Sequence, residues 1–262
     1  MVLLAVFGIG LVAGFVDAIA GGGGLIMLPG LLFTGLPVGS AIATNKLCGT
    51  FGSLTSTLKF AQSRQIDWSA CKLMALPIIV GAYLGSRSIG LLPSAWAEPV
   101  VVTLMAIITL FVIFKPGFGT AKVATAASSA SSDLPRLSSV PQHALIHPLA
   151  MIFAGGTIGF HDGFFGPGTG IFLVFSLLSL ASIDFLRATG TTKLLNFLAN
   201  FTALITFATA GSIDYSKGIA GALGVILGSF IGATFATRKG ARLIKPIFVI
   251  VTIALIVKLL VS

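Results

Sequence analysis

The chain has 262 residues, of which 56% are hydrophobic and 9% charged, and its mean hydropathy is +1.07. A soluble domain carries about 25% charged residues, so the composition excludes one and leaves a polytopic membrane protein. The net charge of +9 then belongs to basic loops between apolar segments, not to a nucleic-acid surface.

The first apolar segment, Val2–Ala20, ends in a run of four glycines, Gly21, Gly22, Gly23 and Gly24. Its last residues, Ala18-Ile19-Ala20, fit a signal-peptide cleavage pattern. No Lys or Arg precedes Lys46, so a basic n-region is missing and the segment is expected to be retained. A second segment, 25–36, is too short for the roughly 30 Å hydrocarbon core at about 1.5 Å per residue. The first two are expected to form a broken or re-entrant hairpin with its bend inside the protein. Segments at 40–61, 73–92 and 97–114 follow, with a polar turn at 62–68.

The stretch 115–147 is rich in Ser and Ala, lacks helical periodicity and is expected to be a flexible linker. It separates a first transmembrane repeat, 1–114, from a second, 148–262, whose apolar segments are 148–165, 170–181, 186–210, 219–236 and 243–261. Gly14, Phe15, Asp17, Gly21 and Gly23 recur as Gly159, Phe160, Asp162, Gly166 and Gly168. After a two-residue insertion, Thr44, Lys46, Leu47, Asp67 and Trp68 face Thr191, Lys193, Leu194, Asp214 and Tyr215. Gly81-x-x-x-Gly85 recurs as Gly228-x-x-x-Gly232, a spacing that lets membrane helices approach closely.

Basic residues give each half a direction. Lys59, Arg64 and Lys72 surround the link after the third segment of the first half, against Lys217 alone in the second. After the fourth segment the first half has Arg87, and the second has Arg238, Lys239, Arg242 and Lys245. If basic loops stay in the cytosol, the halves insert in opposite senses, with the linker cytosolic and both termini outside. The expected fold is an all-α polytopic membrane protein of two inverted-topology repeats, each of about five apolar segments with a glycine-rich hairpin.

Of seven acidic residues, Asp17 and Asp162 alone lie well inside apolar segments, where a charge costs about 2.5 to 3.5 kcal/mol. Lys46 and Lys193 are the expected partners, each pairing with the aspartate of its own half. Lys46, Gly49, Ser53 and Thr57 share one helical stripe; Lys193, Asn196 and Asn200 share the matching one. The bends Gly21–Gly24 and Gly166–Thr169 leave backbone N–H groups at the start of a short helix, which favours an anion. Asp17, Asp162 and the neighbouring His161 are proton-coupling candidates. Plainer roles stay open at this level. The ion pairs could fix helix register, the glycines could serve packing, and the asparagines could bond neighbouring helices. A cation carrier would use the two aspartates as ligands. Cys48 and Cys71 have no metal-ligand spacing and are expected as packed thiols. His143 and His147 flank a linker and do not point to a metal site. The motifs Gly-x-Ser-x-Gly and His-Glu-x-x-His do not occur, so no enzyme is expected.

Gly14-Phe15-x-Asp17 with the four glycines, Thr44-Asn45-Lys46-Leu47, the Asp67-Trp68 turn, residues 162–170 and Thr192-Lys193-Leu194-Leu195-Asn196 together resemble the TauE/SafE sulfite exporter family over nearly the whole chain. The resemblance implies a bacterial inner-membrane secondary carrier for sulfite or organosulfonates such as sulfoacetate, without a cofactor. Its expected partners are the small anion and the lipid bilayer, with a homodimer left open. On this reading the anion is held by Gly21, Gly22, Gly23, Gly24, Thr44, Asn45, Lys46 and Ser53 from the first half. Gly166, Gly168, Thr169, Thr192, Lys193, Asn196 and Asn200 hold it from the second.

Overall fold

The computed structural model describes residues 1–91, 99, 103 and 147–239. Apart from residues 99, 103 and 147, the linker expected at 115–147 and the segments expected at 97–114 and 243–261 lie outside these residues. Among them the fold is all helical, with eight helices: α1 Val2–Ala20, α2 Gly23–Leu32, α3 Val38–Gln62, α4 Trp68–Gly90, α5 Pro148–Phe164, α6 Thr169–Leu180, α7 Phe185–Thr209 and α8 Tyr215–Lys239.

Local chemistry sets the helix boundaries. α1 stops at Gly21, which takes the left-handed conformation (φ 74°) and donates its N–H to the Asp17 carbonyl. α4 begins at Trp68, five residues before the apolar run expected from 73, because Asp67 Oδ1 accepts the Ala70 N–H at 2.9 Å. Asp214 caps α8 in the same way through the Lys217 N–H. Asp184 caps α7 through the N–H groups of Leu186 and Arg187. Pro148 occupies the first turn of α5, where its missing N–H costs nothing.

Among the described residues, three helices are long and apolar enough to cross a bilayer: Val2–Ala20, Trp68–Ile89 and Tyr215–Arg238. α3 and α7, at 25 residues each, are also long enough but carry much of the polar sequence. α2 and α6 have 10 and 12 residues, about 15 and 18 Å of helix, so neither spans.

Polarity is inside out. Lys46 and Lys193 are 0% exposed and Asp162 1%, whereas Leu76, Phe153 and Leu149 are 69 to 81% exposed. Water would reverse that arrangement. A hydrocarbon solvent selects it, because apolar side chains gain nothing by leaving lipid and charges must be paired inside.

Helix pairing repeats when the halves are exchanged. α1 packs on α8 as α5 packs on α4; α3 packs on α8 as α7 packs on α4; α3 packs on α7 across the centre. The repeated glycine spacing makes the outer pairs. A Cβ on Gly81 or Gly85 would collide with the carbonyls of Gly156 and Phe160 on α5, and one on Gly228 or Gly232 with those of Leu11 and Phe15 on α1. Gly228→Leu should therefore cost at least about 3 kcal/mol, measured as loss of monodisperse protein in detergent. Gly8→Leu, at a position with nothing within 4 Å, should leave the yield unchanged.

The halves are also laced through their turns. Thr191 Oγ1 accepts the Asp67 N–H at 2.9 Å, and Thr44 Oγ1 accepts the Asp214 N–H at 3.0 Å. Each threonine of the repeated pair thus anchors the turn of the other half.

Candidate functional site

The two glycine bends meet at the centre of the protein. A Cβ on Gly170 would lie 2.6 Å from Gly21 Cα and O, and one on Gly24 would lie 3.2 Å from Pro167 Cα. Only backbone fits between them, which explains why glycine accumulates here in both halves. α3 and α7 cross beside the bends: a Cβ on Gly49 would stand 2.9 Å from Asn200 Oδ1.

That crossing decides the ion pairs. Lys46 Nζ lies 2.8 Å from Asp162 Oδ2, and Lys193 Nζ lies 3.1 Å from Asp17 Oδ2. The pairing expected within each half is therefore wrong; both pairs run between halves. The lysine sits on the central helix of one half, and near the axis its side chain reaches the bend of the other. Each buried ammonium then meets a carboxylate, and the pairs hold the halves together.

The surroundings of the two pairs differ. Asp17 is fully engaged: Oδ1 accepts the Gly23 N–H at 3.1 Å, Oδ2 accepts from Lys193, and its carbonyl accepts from both Lys193 and Gly21. Asp162 accepts from Lys46 through Oδ2, and its Oδ1 has no hydrogen-bond partner among the described residues. The Lys46 ammonium presses on the second bend, where a Cβ on Gly166 would be 2.6 Å from Nζ.

Asp17, Asp162, Lys46, Asn45, Asn196 and Asn200 contribute polar side chains to a cavity of ≈ 40 Å³. At roughly 10 to 15 Å³ per water this holds about three water molecules, or one small ion of similar bulk. Gly21, Gly23, Gly24, Gly166, Gly168 and Thr169 supply the backbone walls. Gly22, Thr44, Ser53, Thr192, Lys193 and His161 lie outside the wall. Thr44 anchors the Asp214 turn, and the Ser53 hydroxyl donates to the Gly49 and Thr50 carbonyls. Thr192 Oγ1 is buried and has no partner among the described residues. Asn200 Nδ2 donates to the Asn196 carbonyl and side-chain oxygen, which orients both amides.

His161 closes the second bend from behind. Its Nδ1 is 3.3 Å from Thr169 Oγ1, and the Thr169 hydroxyl donates to the Gly166 carbonyl at 2.7 Å. The threonine oxygen therefore accepts from Nδ1–H, an assignment made from the hydrogen-bond network. Nε2 is buried without a partner among the described residues, and the ring stands edge-on to Phe165 and Phe172.

The wall also contains Ala13, Met27, Cys48, Gly49, Gly52 and Val225. Gly49 shares the stripe of Lys46 along α3, a signal legible in the sequence, whereas Gly52 lies about 120° round the helix from Lys46 and carried none. Ala13, Met27 and Val225 are apolar residues in apolar helices and carried no signal.

The pattern of the family described as Sulfite exporter TauE/SafE matches residues 6–259. The chain belongs to the TauE/SafE family. It is 36% identical over 250 residues to a protein of Sinorhizobium sp. named probable membrane transporter protein ORF9, covering 95% of this chain and 88% of that protein. It is 32% identical over 260 residues to the probable membrane transporter protein YfcA of Escherichia coli K12, covering 99% and 90% of the two chains. A probable membrane transporter protein of Haemophilus influenzae is 33% identical over 258 residues, covering 98% and 94%. No solved structure matches. TauE/SafE proteins are transporters, so this chain is a membrane transporter and not an enzyme, and the cavity between its halves is the candidate transport site.

Proposed function

We propose that the protein is a secondary carrier of a small sulfur oxyanion, with sulfite as the cargo, working by alternating access between inverted halves in the bacterial inner membrane. The observation that carries this reading is the cavity itself: two broken hairpins meet backbone to backbone at a buried ion pair, with helix N-termini pointing in. Transporters built from inverted repeats bind at such discontinuities. The space of ≈ 40 Å³ suits sulfite; a longer organosulfonate such as sulfoacetate requires the halves to open further.

The exchange of helix partners between halves supports a two-fold-related pair, and the basic loops are the ground for reading it as inverted, 1–114 and 148–262, around a cytosolic linker, with both termini outside. Trp68 and Tyr215, exposed at the first residues of α4 and α8, would then serve as interface aromatics on opposite sides of such a pair. A homodimer is compatible with this arrangement.

Asp162 is the proposed coupling carboxylate. While ionised it neutralises Lys46; taking a proton, it frees the ammonium for the anion, so uptake of the anion and of a proton go together. Asp162→Asn should therefore weaken the pH dependence of transport. Sulfite counterflow in proteoliposomes between pH 5.5 and 8 tests both points: no counterflow in the wild type removes the cargo, and an unchanged slope in Asp162→Asn removes the coupling role.

One observation favours a cation as cargo: the wall contains two carboxylates and a single ammonium. Against it, each carboxylate already has an ammonium within 3.1 Å. Sodium flux indifferent to sulfite would support the cation.

A further inference from the structure

The duplicated bends differ in one respect that bears on where an anion sits. In the first half one amide of the seat at the start of α2, that of Gly23, is filled from within the chain, while the N–H groups of Gly22 and Gly24 have no acceptor among the described residues. The Asp17 carboxylate takes the Gly23 N–H at 3.1 Å and the Lys193 ammonium at 3.1 Å. The aligned glycine of the second half is Gly168, at the start of α6. Asp162 does not reach it. The N–H groups of Gly168 and Gly170 have no acceptor among the described residues, while those of Thr169 and Ile171 are spent on the Gly166 and Gly168 carbonyls.

We propose that the anion-binding seat is one-sided: the start of α6 together with Lys46 takes an external oxyanion, and the start of α2 is plugged by Asp17 as a resident anion. The proposal deepens the carrier reading and rests on it for the cargo. A helix start alone would not support it, but three further features converge here. Gly168, Thr169 and Gly170 line the cavity with Lys46, and Lys193 does not. The Asp162 side chain, 2% exposed, also lines the cavity and has Oδ1 without a partner among the described residues. Finally, the first half holds a carboxylate between a bend amide and a lysine, which shows the chemistry such a seat accepts. Protonated Asp162 adds a donor, since Oδ1–H can point at the bound anion while Lys46 turns to it. The proton stays on Asp162 and no bond to the anion forms, so charge balances as one proton per monoanion.

The charges facing the seat are Lys46 from α3, Asp162 from α5 and Asp17 from α1; His161 lies behind it on α5. Among small anions, a seat of two amides and one ammonium prefers a compact oxyanion head to a halide, because several oxygens can accept at once.

The test is calorimetric binding of sodium sulfite, sodium formate and sodium chloride to the purified full chain in nanodiscs. Wild type should bind one formate or sulfite per chain. Lys46→Met should weaken this at least 100-fold. The double variant Asp17→Leu with Lys193→Met, which leaves no lone charge, should retain it within about tenfold. If the double variant does not fold, the closer neutral pair Asp17→Asn with Lys193→Gln replaces it and should likewise keep one site. Equal losses in the Lys46 and the Asp17/Lys193 variants would overturn the one-sided seat, as would a folded wild type that binds neither oxyanion. Formate binding with the predicted contrast but no sulfite transport would leave the seat standing and remove sulfite as cargo.

Discussion

Replacing Lys46 by methionine should destabilise the protein by about 3 to 5 kcal/mol, and adding Asp162→Leu should recover most of that loss. The single change leaves a buried carboxylate without its ammonium partner; the second change removes the stranded charge. Lys46 is 0% exposed and Asp162 1%, so water offers little compensation to either. The informative control is Lys46→Met with Asp17→Leu. Pairing within each half would make that combination the compensating one. With the observed pairing between halves, it strands both Asp162 and Lys193 and should be worse than either single variant. Melting of the purified variants in one detergent ranks them. Recovery by Asp17→Leu in place of Asp162→Leu would refute the crossed pairing. The rescued Lys46→Met/Asp162→Leu protein should still fail to transport sulfite, which separates the ion pair's part in stability from its part in the anion seat.

Gly170→Ala should lower stability by about 1 to 3 kcal/mol and abolish transport, although alanine favours a helix over glycine by about 1 kcal/mol. The sign is set by what the methyl meets. Gly170 lies in the first turn of α6, and its Cβ would stand 2.6 Å from the Cα and carbonyl oxygen of Gly21. That neighbour is backbone on a bend held by the Asp17 carbonyl, so it cannot swing aside as a side chain would. Gly156→Ala is the matched control, inside α5 with nothing within 4 Å, and should be neutral or stabilising by up to about 1 kcal/mol. Counterflow and melting together decide the point: a Gly170→Ala protein that melts and transports like wild type would mean that the bends need not touch.

Several features of the site could be read before any coordinates. Asp17 and Asp162 stood out because a charge in an apolar segment is costly, and both are held in ion pairs with buried lysines. The glycines stood out because helix interiors avoid them; Gly21, Gly24 and Gly170 lie where two backbone segments pass with little room for Cβ. Thr44, Thr191, Asp67 and Asp214 were visible as repeated pairs, but their role was not. They tie the turn of one half to the central helix of the other, a relation between residues more than 100 positions apart. Ser53 and Thr44 looked like site residues because polar groups on buried faces attract that reading. Both are spent on backbone, as hydroxyls in apolar helices commonly are.

Composition, hydropathy and self-similarity along the chain determined the membrane class, the duplication, the mid-helix charges and the two bends, and the glycine and lysine motifs carried the resemblance to TauE/SafE, because each is a property of a segment and survives without knowing its neighbours. Only the tertiary structure decided which lysine meets which aspartate, that Asp17 fills the bend of its own half while Asp162 leaves its bend unfilled, and where the cavity lies. Those depend on where α3 crosses α7. A repeat states which residues are equivalent, but not whether the side chains at the axis close onto their own half or onto the other.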